Sequence, residues 1–341
     1  MEKSARKGSA DIQRQENMAF SSDDLKLNCE SEASRIGDVL RKLLRNTRRR
    51  GVVLGLSGGI DSAVTAALAV RALGSERVFG IFMPESDSEP ESLALGQLLA
   101  GHLGMRSVLE DIAPALVALK CYERRNAAVA SVIAEFKDDW KFKLVLPGAE
   151  HRGLNFYSVV ARSPDGREFK ERLPLEAYLA IVAATNFKQR VRKTVEYHWA
   201  DRLNFLVAGT PNRLEFDQGF FVKQGDGASD VKPIAHLYKT QVYELAAYLN
   251  IPDEIRRRVP TTDTYSLPQG QDEFYFSLTY DKLDICLYGK NHGIGVEEVA
   301  MAAGLTAAQV AHAFDDIDAK RNATRYQHLK PVLLEEVVNV G

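Results

Sequence analysis

Apolar residues recur at helical spacing between Glu32 and Arg48, at Ile36, Val39, Leu40, Leu43 and Leu44, and a basic run follows them. This spacing predicts a helix with one apolar face, and the cations suit its carboxyl end, where free carbonyls carry partial negative charge. The pattern then changes. Gly51-Val52-Val53-Leu54-Gly55-Leu56 is a short continuous apolar run, which predicts a strand buried on both faces of a parallel sheet. Ala63 to Leu73, rich in alanine and leucine, predicts a buried helix, and Val78-Phe79-Gly80-Ile81-Phe82-Met83 a second strand. A helix over Glu91 to Leu103, a strand at Ser107 to Leu109 and another at Asn204 to Ala208, ahead of Gly209-Thr210, continue the alternation.

Strand, glycine loop, helix and strand in succession form the βαβ unit of a doubly wound α/β fold, a parallel sheet flanked by helices that binds ligands at the carboxyl ends of its strands. The loop that begins at Ser57 lies at such an end. The rhythm breaks around Leu154 to Arg172, where two β-prone runs flank Ser163-Pro164-Asp165-Gly166. Proline and glycine in that order predict a turn, hence an inserted hairpin within an insertion spanning about residues 137–185. Residues 1–30 are polar without a sustained period and are expected to form a disordered leader to a single domain over 31–341.

Composition narrows the function classes. The 341 residues are 45% hydrophobic, enough for one large core or a core with an appendage. Lys and Arg total 44 against 46 for Asp and Glu, a formal charge of −2, so no broad footprint for nucleic acid is present. Cys29, Cys121 and Cys286 form no Cys-x-x-Cys pair, which argues against a disulfide framework, a zinc site or an iron–sulfur cluster and for a reducing, cytoplasmic setting. No apolar run reaches membrane-spanning length, and the first thirty residues lack the apolar core of a secretory signal.

The chemistry concentrates at Ser57-Gly58-Gly59-Ile60-Asp61-Ser62. Small residues let the backbone approach a phosphate, and the following helix offers free amides and the positive end of its dipole. Asp61 would repel that phosphate unless it holds Mg²⁺ shared with it. Taken alone, the same residues also suit a tight turn with Asp61 as a helix cap.

The combination Ser57-Gly58-Gly59-x-Asp61-Ser62, between a buried strand and an alanine-rich helix, resembles the pyrophosphatase loop of the Rossmann-like N-type ATP pyrophosphatases. Those enzymes cleave ATP between its α and β phosphates, and no Walker-type Gly-x-x-x-x-Gly-Lys-Ser/Thr is present. Within that superfamily, Asn186-x-Lys188-x-Arg190-x-Arg192, Gly209-Thr210-x-Asn212-Arg213-x-Glu215 and Gly219-Phe220-Phe221-x-Lys223-x-Gly225-Asp226 with Asp230 resemble NAD synthetase of the ammonia-dependent type. Lys239-Thr240-Gln241, Pro260-Thr261 and Gln271-Asp272-Glu273 extend the resemblance over roughly residues 35 to 290, outside the insertion.

The resemblance implies that Asp61 and Glu215 hold Mg²⁺ and that ATP meets Ser57, Gly58, Gly59, Asp61, Ser62 and Thr210, with Lys239 and Thr261 gripping the triphosphate. Asp61, Glu215 and Lys239 would be the catalytic set. Arg190, Phe220, Lys223 and Asp230 would contact deamido-NAD, Phe220 as a stacking surface for the pyridine ring. Simpler roles exist for some of them: Arg190 and Arg192 as a solvated helix face, Phe220 and Phe221 as core, Glu215 as a helix cap.

The implied reaction is adenylation of the nicotinate carboxylate of deamido-NAD, release of pyrophosphate, and attack by ammonia to give NAD and AMP. A homodimer is the family's usual assembly. Before the Ser57 loop no cysteine has a credible amidotransferase setting, so ammonia would arrive free or from a separate glutaminase. Two departures from the family are visible: the aromatic wording of Thr262 to Phe276, and His328 and Lys330, which Leu329 separates where the family often shows a His-Lys pair. The roles of His328 and Lys330 stay open. An amide ligase acting on another carboxylate in specialised biosynthesis is the alternative. A catalytically silent subunit and a tRNA-thiolating enzyme are disfavoured, the first by Asp61, Glu215 and Lys239, the second by the missing cysteines and basic surface.

Overall fold

The computed structural model describes residues 20–145, 157–259, 265–267, 278–335 and 337. Helix α1 (Cys29–Thr47) leads into β1 (Val52–Gly55), α2 (Ile60–Leu73), β2 (Val78–Phe82), α3 (Pro90–Leu103) and β3 (Arg106–Leu109). Then come α4 (Ala113–Ala118), α5 (Cys121–Ala130), the strands β4 (Lys141–Val145), β5 (Ser158–Arg162) and β6 (Glu168–Arg172), α6 (Leu175–Leu203) and β7 (Leu206–Val207). The chain continues through α7 (Arg213–Asp217), α8 (Lys239–Tyr248), α9 (Asp253–Arg256), α10 (Tyr280–Asn291), α11 (Val296–Ala303) and α12 (Ala307–Thr324).

Four strands pair in parallel in the order β3-β2-β1-β7. Because β7 joins β1 on the side away from β2, the winding reverses between them, and the loop after β1 opens at that switch point. Alternation along the buried strands feeds two cores: Val52, Leu54, Val78 and Phe82 pack with α1, α2 and α8, whereas Val53, Phe79 and Ile81 pack with Leu116, Cys121 and Ala200 on the other face. Both faces are covered, which is why β1 and β2 read as continuous apolar runs.

The insertion forms its own antiparallel sheet in the order β4-β5-β6. The predicted hairpin corresponds to β5 and β6, joined at Ser163–Arg167, where the Gly166 amide donates to the Ser163 carbonyl at 2.9 Å. The third strand, β4, was not anticipated: Phe142 and Leu144 supply too short a period to be recognised locally, yet both are fully buried against Val159, Ala161 and Ile181. Helix α6 then carries the chain 29 residues, about 43 Å, from this small sheet back to the main one.

Part of the expected leader is packed. Phe20 and Leu25 are buried beside Leu283, Leu287 and Val299, and the Phe20 ring stacks on Tyr288 with centroids 5.5 Å apart. The Leu27 amide donates to Glu244 at 3.0 Å. Two apolar residues in a polar stretch set no period, so their distant partners were not foreseeable; residues 1–19 lie outside the described residues.

The Ser57 loop depends on Gly58, whose φ is +75° and whose missing Cβ would sit 2.4 Å from the Ser92 carbonyl oxygen. A side chain there meets both a left-handed backbone and a backbone atom that cannot yield. Gly101, by contrast, has nothing within 4 Å of its Cβ position and lies in the exposed last turn of α3. Gly58→Ala is therefore expected to lower the unfolding free energy by more than about 1 kcal/mol, and Gly101→Ala to raise it by a few tenths, as read by chemical denaturation.

Candidate active site

A cavity of about 430 Å³ opens at the carboxyl ends of β1 and β7. Its floor is the Ser57 loop. Gly59 caps α2 with no side-chain bond to the first amides, and Ile60, Asp61 and Ser62 of that first turn line the cavity. The hydroxyls of Ser57 and Ser62 lie 3.2 Å apart, and Ser62 also donates to the Gly59 carbonyl at 2.9 Å, which holds the turn closed. Ser57, Gly59, Asp61 and Ser62 line the cavity, while Gly58 shapes the turn behind it.

Asp61 is gripped from two directions. Lys239 Nζ lies 2.5 Å from one carboxylate oxygen, and Asn212 Nδ2 donates to the other at 3.0 Å. Asn212 is positioned by a capping box, its side chain accepting from the Glu215 amide at 3.1 Å while the Glu215 carboxylate accepts from the Asn212 amide at 3.1 Å. Its Asn-x-x-Glu signature was present in the sequence and marks a helix start. Glu215 thus does both things expected of it separately: it caps α7, and it faces the same cavity as Asp61.

Lys239 is fully buried at the first position of α8. The backbone amides of Lys239 and Thr240 donate to the Asp284 carboxylate on α10 at 3.2 and 2.7 Å. Burial pushes the Asp284 pKa up to about 6 against those two amides. Burial alone would lower Lys239, but Asp61 and Glu215 outweigh it and hold its pKa above the ordinary value. For Glu215, burial first and then the charge of Asp61 push the pKa up to about 8.

One buried ammonium between two carboxylates leaves negative charge undercompensated, which is the environment a divalent cation would relieve. Among the described residues no group of three or more His, Cys, Asp or Glu side chains could hold a metal unaided. Asp61 and Glu215 fit Mg²⁺ in another way, since that ion takes one or two carboxylates and completes its shell with water and substrate phosphates.

The other side of the cavity gathers residues from distant segments. Thr210, Arg190, Phe220 and Lys223 all line it. Arg190 Nε donates to the Lys223 carbonyl at 3.4 Å, and Lys223 Nζ to the Tyr326 carbonyl at 2.8 Å. Asp230 is placed elsewhere, outside the lining: its carboxylate accepts from the Val207 amide at 2.7 Å and the Tyr197 hydroxyl at 3.3 Å. Val207 belongs to the edge strand, and its outward amide has no strand partner, so Asp230 satisfies it. Thr261, Pro260 and Gln271–Glu273 lie outside the described residues. His328 packs edge-on against Phe216 and Phe221, each 5.1 Å away, and Lys330 is exposed.

A buried charge network also borders the cavity. Lys188 is 1% exposed and pairs with Glu85 at 2.9 Å and Asp87 at 2.6 Å, while Arg125 pairs with Asp87 as well. Burial would raise the Asp87 pKa, but Lys188 and Arg125 together hold it below the ordinary carboxylate value. Lys188 appears in the Asn186-to-Arg192 motif, yet nothing local revealed its partners a hundred residues away. Asn212→Ala is expected to remove a helix cap and a donor to Asp61 together, lowering stability by about 1–2 kcal/mol in chemical denaturation.

Comparison with known proteins agrees with this geometry. The family model described as NAD synthase matches residues 32–137 and 161–327. The NH(3)-dependent NAD(+) synthetase of Rhizobium meliloti (strain 1021) is 57% identical over 327 residues, 96% of this chain and 98% of that protein. Among solved structures, the NH3-dependent NAD synthetase of Campylobacter jejuni superposes with a TM-score of 0.59 at 24% identity, covering 91% of this chain and all of the other. An NMN synthetase from Francisella tularensis gives 0.63 at 23% identity, over 90% and 99%. At such identities the two structures speak for the fold alone, while the family model and the bacterial relative go further: this chain belongs to the NAD synthase family.

Proposed function

We propose that the protein amidates deamido-NAD to NAD, using ATP to activate the nicotinate carboxylate and ammonia as the nitrogen donor. The observation that carries this reading is the convergence of Asp61, Glu215 and Lys239 on a free helix N-terminus in one cavity with Arg190, Phe220 and Lys223. The near full-length similarity to a relative named as an NH(3)-dependent NAD(+) synthetase supports it.

The triphosphate lies against the α2 amides, with Lys239 beside it to offset charge on the leaving pyrophosphate. Asp61 and Glu215 would hold Mg²⁺, which supplies charge neutralisation at the phosphates. The nicotinate carboxylate attacks the α-phosphate, the bond to the β-phosphate oxygen breaks, and a mixed anhydride forms. Ammonia then attacks the activated carbonyl, AMP departs, and a proton passes to solvent. No protein nucleophile is needed, so positioning and electrostatics carry the rate. Binding by Arg190 and Lys223 would orient the dinucleotide, with Phe220 presenting a ring face to the pyridine.

Ammonia arrives free or from a separate glutaminase. We place the reaction in the cytoplasm and in a homodimer. The described helices include none long and apolar enough to cross a membrane, and the three cysteines are free thiols.

The decisive test supplies purified protein with ATP, Mg²⁺ and deamido-NAD, with ammonium or glutamine, and quantifies NAD, AMP and pyrophosphate. Equal amounts of the three with ammonium, none with glutamine, and loss on chelation reversed by Mg²⁺ are expected. A folded protein that binds ATP but forms no NAD would overturn the reading. Lys239→Met should lower kcat/KM by about 10²- to 10³-fold, the usual effect of removing one preorganised electrostatic group. Light scattering should give twice the 37.9 kDa of one chain; a monomer that forms NAD would refute the dimer.

A further inference from the structure

Helix α6 presents one row of side chains to the cavity: Tyr178, Val182, Asn186 and Arg190, at four-residue intervals. At 1.5 Å per residue the row runs about 18 Å from Tyr178 to Arg190. Just beyond, Arg192 Nε donates to the Met83 carbonyl at 3.3 Å, immediately past the carboxyl end of β2. The Arg190 end therefore adjoins the phosphate loop, and Tyr178 marks the opposite end.

There the Tyr178 ring stacks on Tyr157, with centroids 4.7 Å apart and planes at 13°. Both rings are half-buried and both line the cavity. Their backbones are fixed: the Tyr157 carbonyl accepts from the Leu173 amide at 2.9 Å, and the Tyr178 amide donates to the Pro174 carbonyl at 3.0 Å. Tyr157 falls within residues 138–160, between the two stretches that the NAD synthase family model matches. It belongs to the insertion and not to the shared machinery.

We propose that the Tyr157–Tyr178 pair is a stacking subsite for an adenine ring of a substrate, contributed to the cavity by the insertion. The assignment rests on the NAD-forming reading above. Tyr265, in the small sheet's core, also borders the cavity but is only 5% exposed, whereas Tyr157 and Tyr178 pack partly against that core and stay half-buried at the cavity wall. Base stacking on such a surface needs no particular hydrogen-bond pattern, only a fixed π-face. Both ATP and deamido-NAD carry adenine, and the distance from the phosphate loop favours the dinucleotide.

Steady-state kinetics on Tyr157→Leu and Tyr178→Leu, beside Tyr178→Phe, test this with each substrate varied separately. The Leu variants should raise KM for deamido-NAD about 5- to 150-fold, the range of losing one stacked base, with kcat and the ammonium KM within twofold. Tyr178→Phe should match wild type. A rise confined to the ATP KM supports the subsite and assigns it to ATP's adenine. Leu variants with wild-type melting temperatures and unchanged KM for both substrates overturn it. Where the Leu variants do not fold, 3-fluorotyrosine at position 178 of the intact enzyme replaces them: its ¹⁹F resonance should shift on saturation with deamido-NAD or AMP, and no shift with either refutes the subsite. Because AMP binding requires no turnover, failure of the wild type to form NAD would be separable from failure of the stacking site.

Discussion

An ammonium fully removed from water must be compensated, and the Lys239–Asp61 pair is the constraint around which the site is assembled. Lys239 has no exposed side-chain surface, and its Nζ sits 2.5 Å from Asp61. Leaving a buried charge without its partner typically costs about 3–5 kcal/mol, so these two side chains lock their elements together. Asp61 brings the loop after β1 and the start of α2. Lys239 brings the start of α8, which Asp284 ties to α10 through two backbone amides. Asn212, bonded to Asp61, brings the capping box of α7 and with it Glu215.

The same arrangement explains why the site is chemically poised. Asp61 and Glu215 share one cation, and Glu215 is pushed up to about 8 by burial and by its neighbour's charge. Lys239 and the two amide groups of Asn212 oppose the charge of this pair, which favours the arrival of further positive charge. The free amides of α2 on the same floor favour an anion. A metal-bound polyphosphate meets both demands at once, whereas either ion alone would meet one.

The insertion lends this site, among the described residues, Tyr157, Tyr178, Val182 and Thr185, which carry no charge. Its sheet packs around Phe142, Val159 and Ile181, and Ile181 lies on the long helix that also carries Asn186 and Arg190. Tyr157, from the segment between the two family-matched stretches, thus reaches the wall of the same cavity as α6, the one continuous element that joins both sheets.

Much of this was legible in the chain. β1, the Ser57 loop and α2 are contiguous, and their burial writes an uninterrupted apolar period that a local reading recovers. Asp61, Glu215 and Lys239 stand in recognisable motifs, since each sits at the start of a helix whose own sequence marks it. What the chain alone did not reveal are pairings between segments without a local period. Phe20 and Leu25 are two apolar residues in polar sequence, and β4 has too few alternations to count. Asp284 looks like any acid on a helix, and no local signal tied the Asp230 carboxylate to the outward amide of Val207 on the edge strand. The sequence by itself determined the strands of the main sheet, the Ser57 loop and the kinds of charged groups around it, because those follow from local spacing. Tertiary structure decided which carboxylate meets which cation, what lies behind the loop and how far the cavity extends, because these depend on contacts between different elements, up to the 178 positions that separate Asp61 and Lys239.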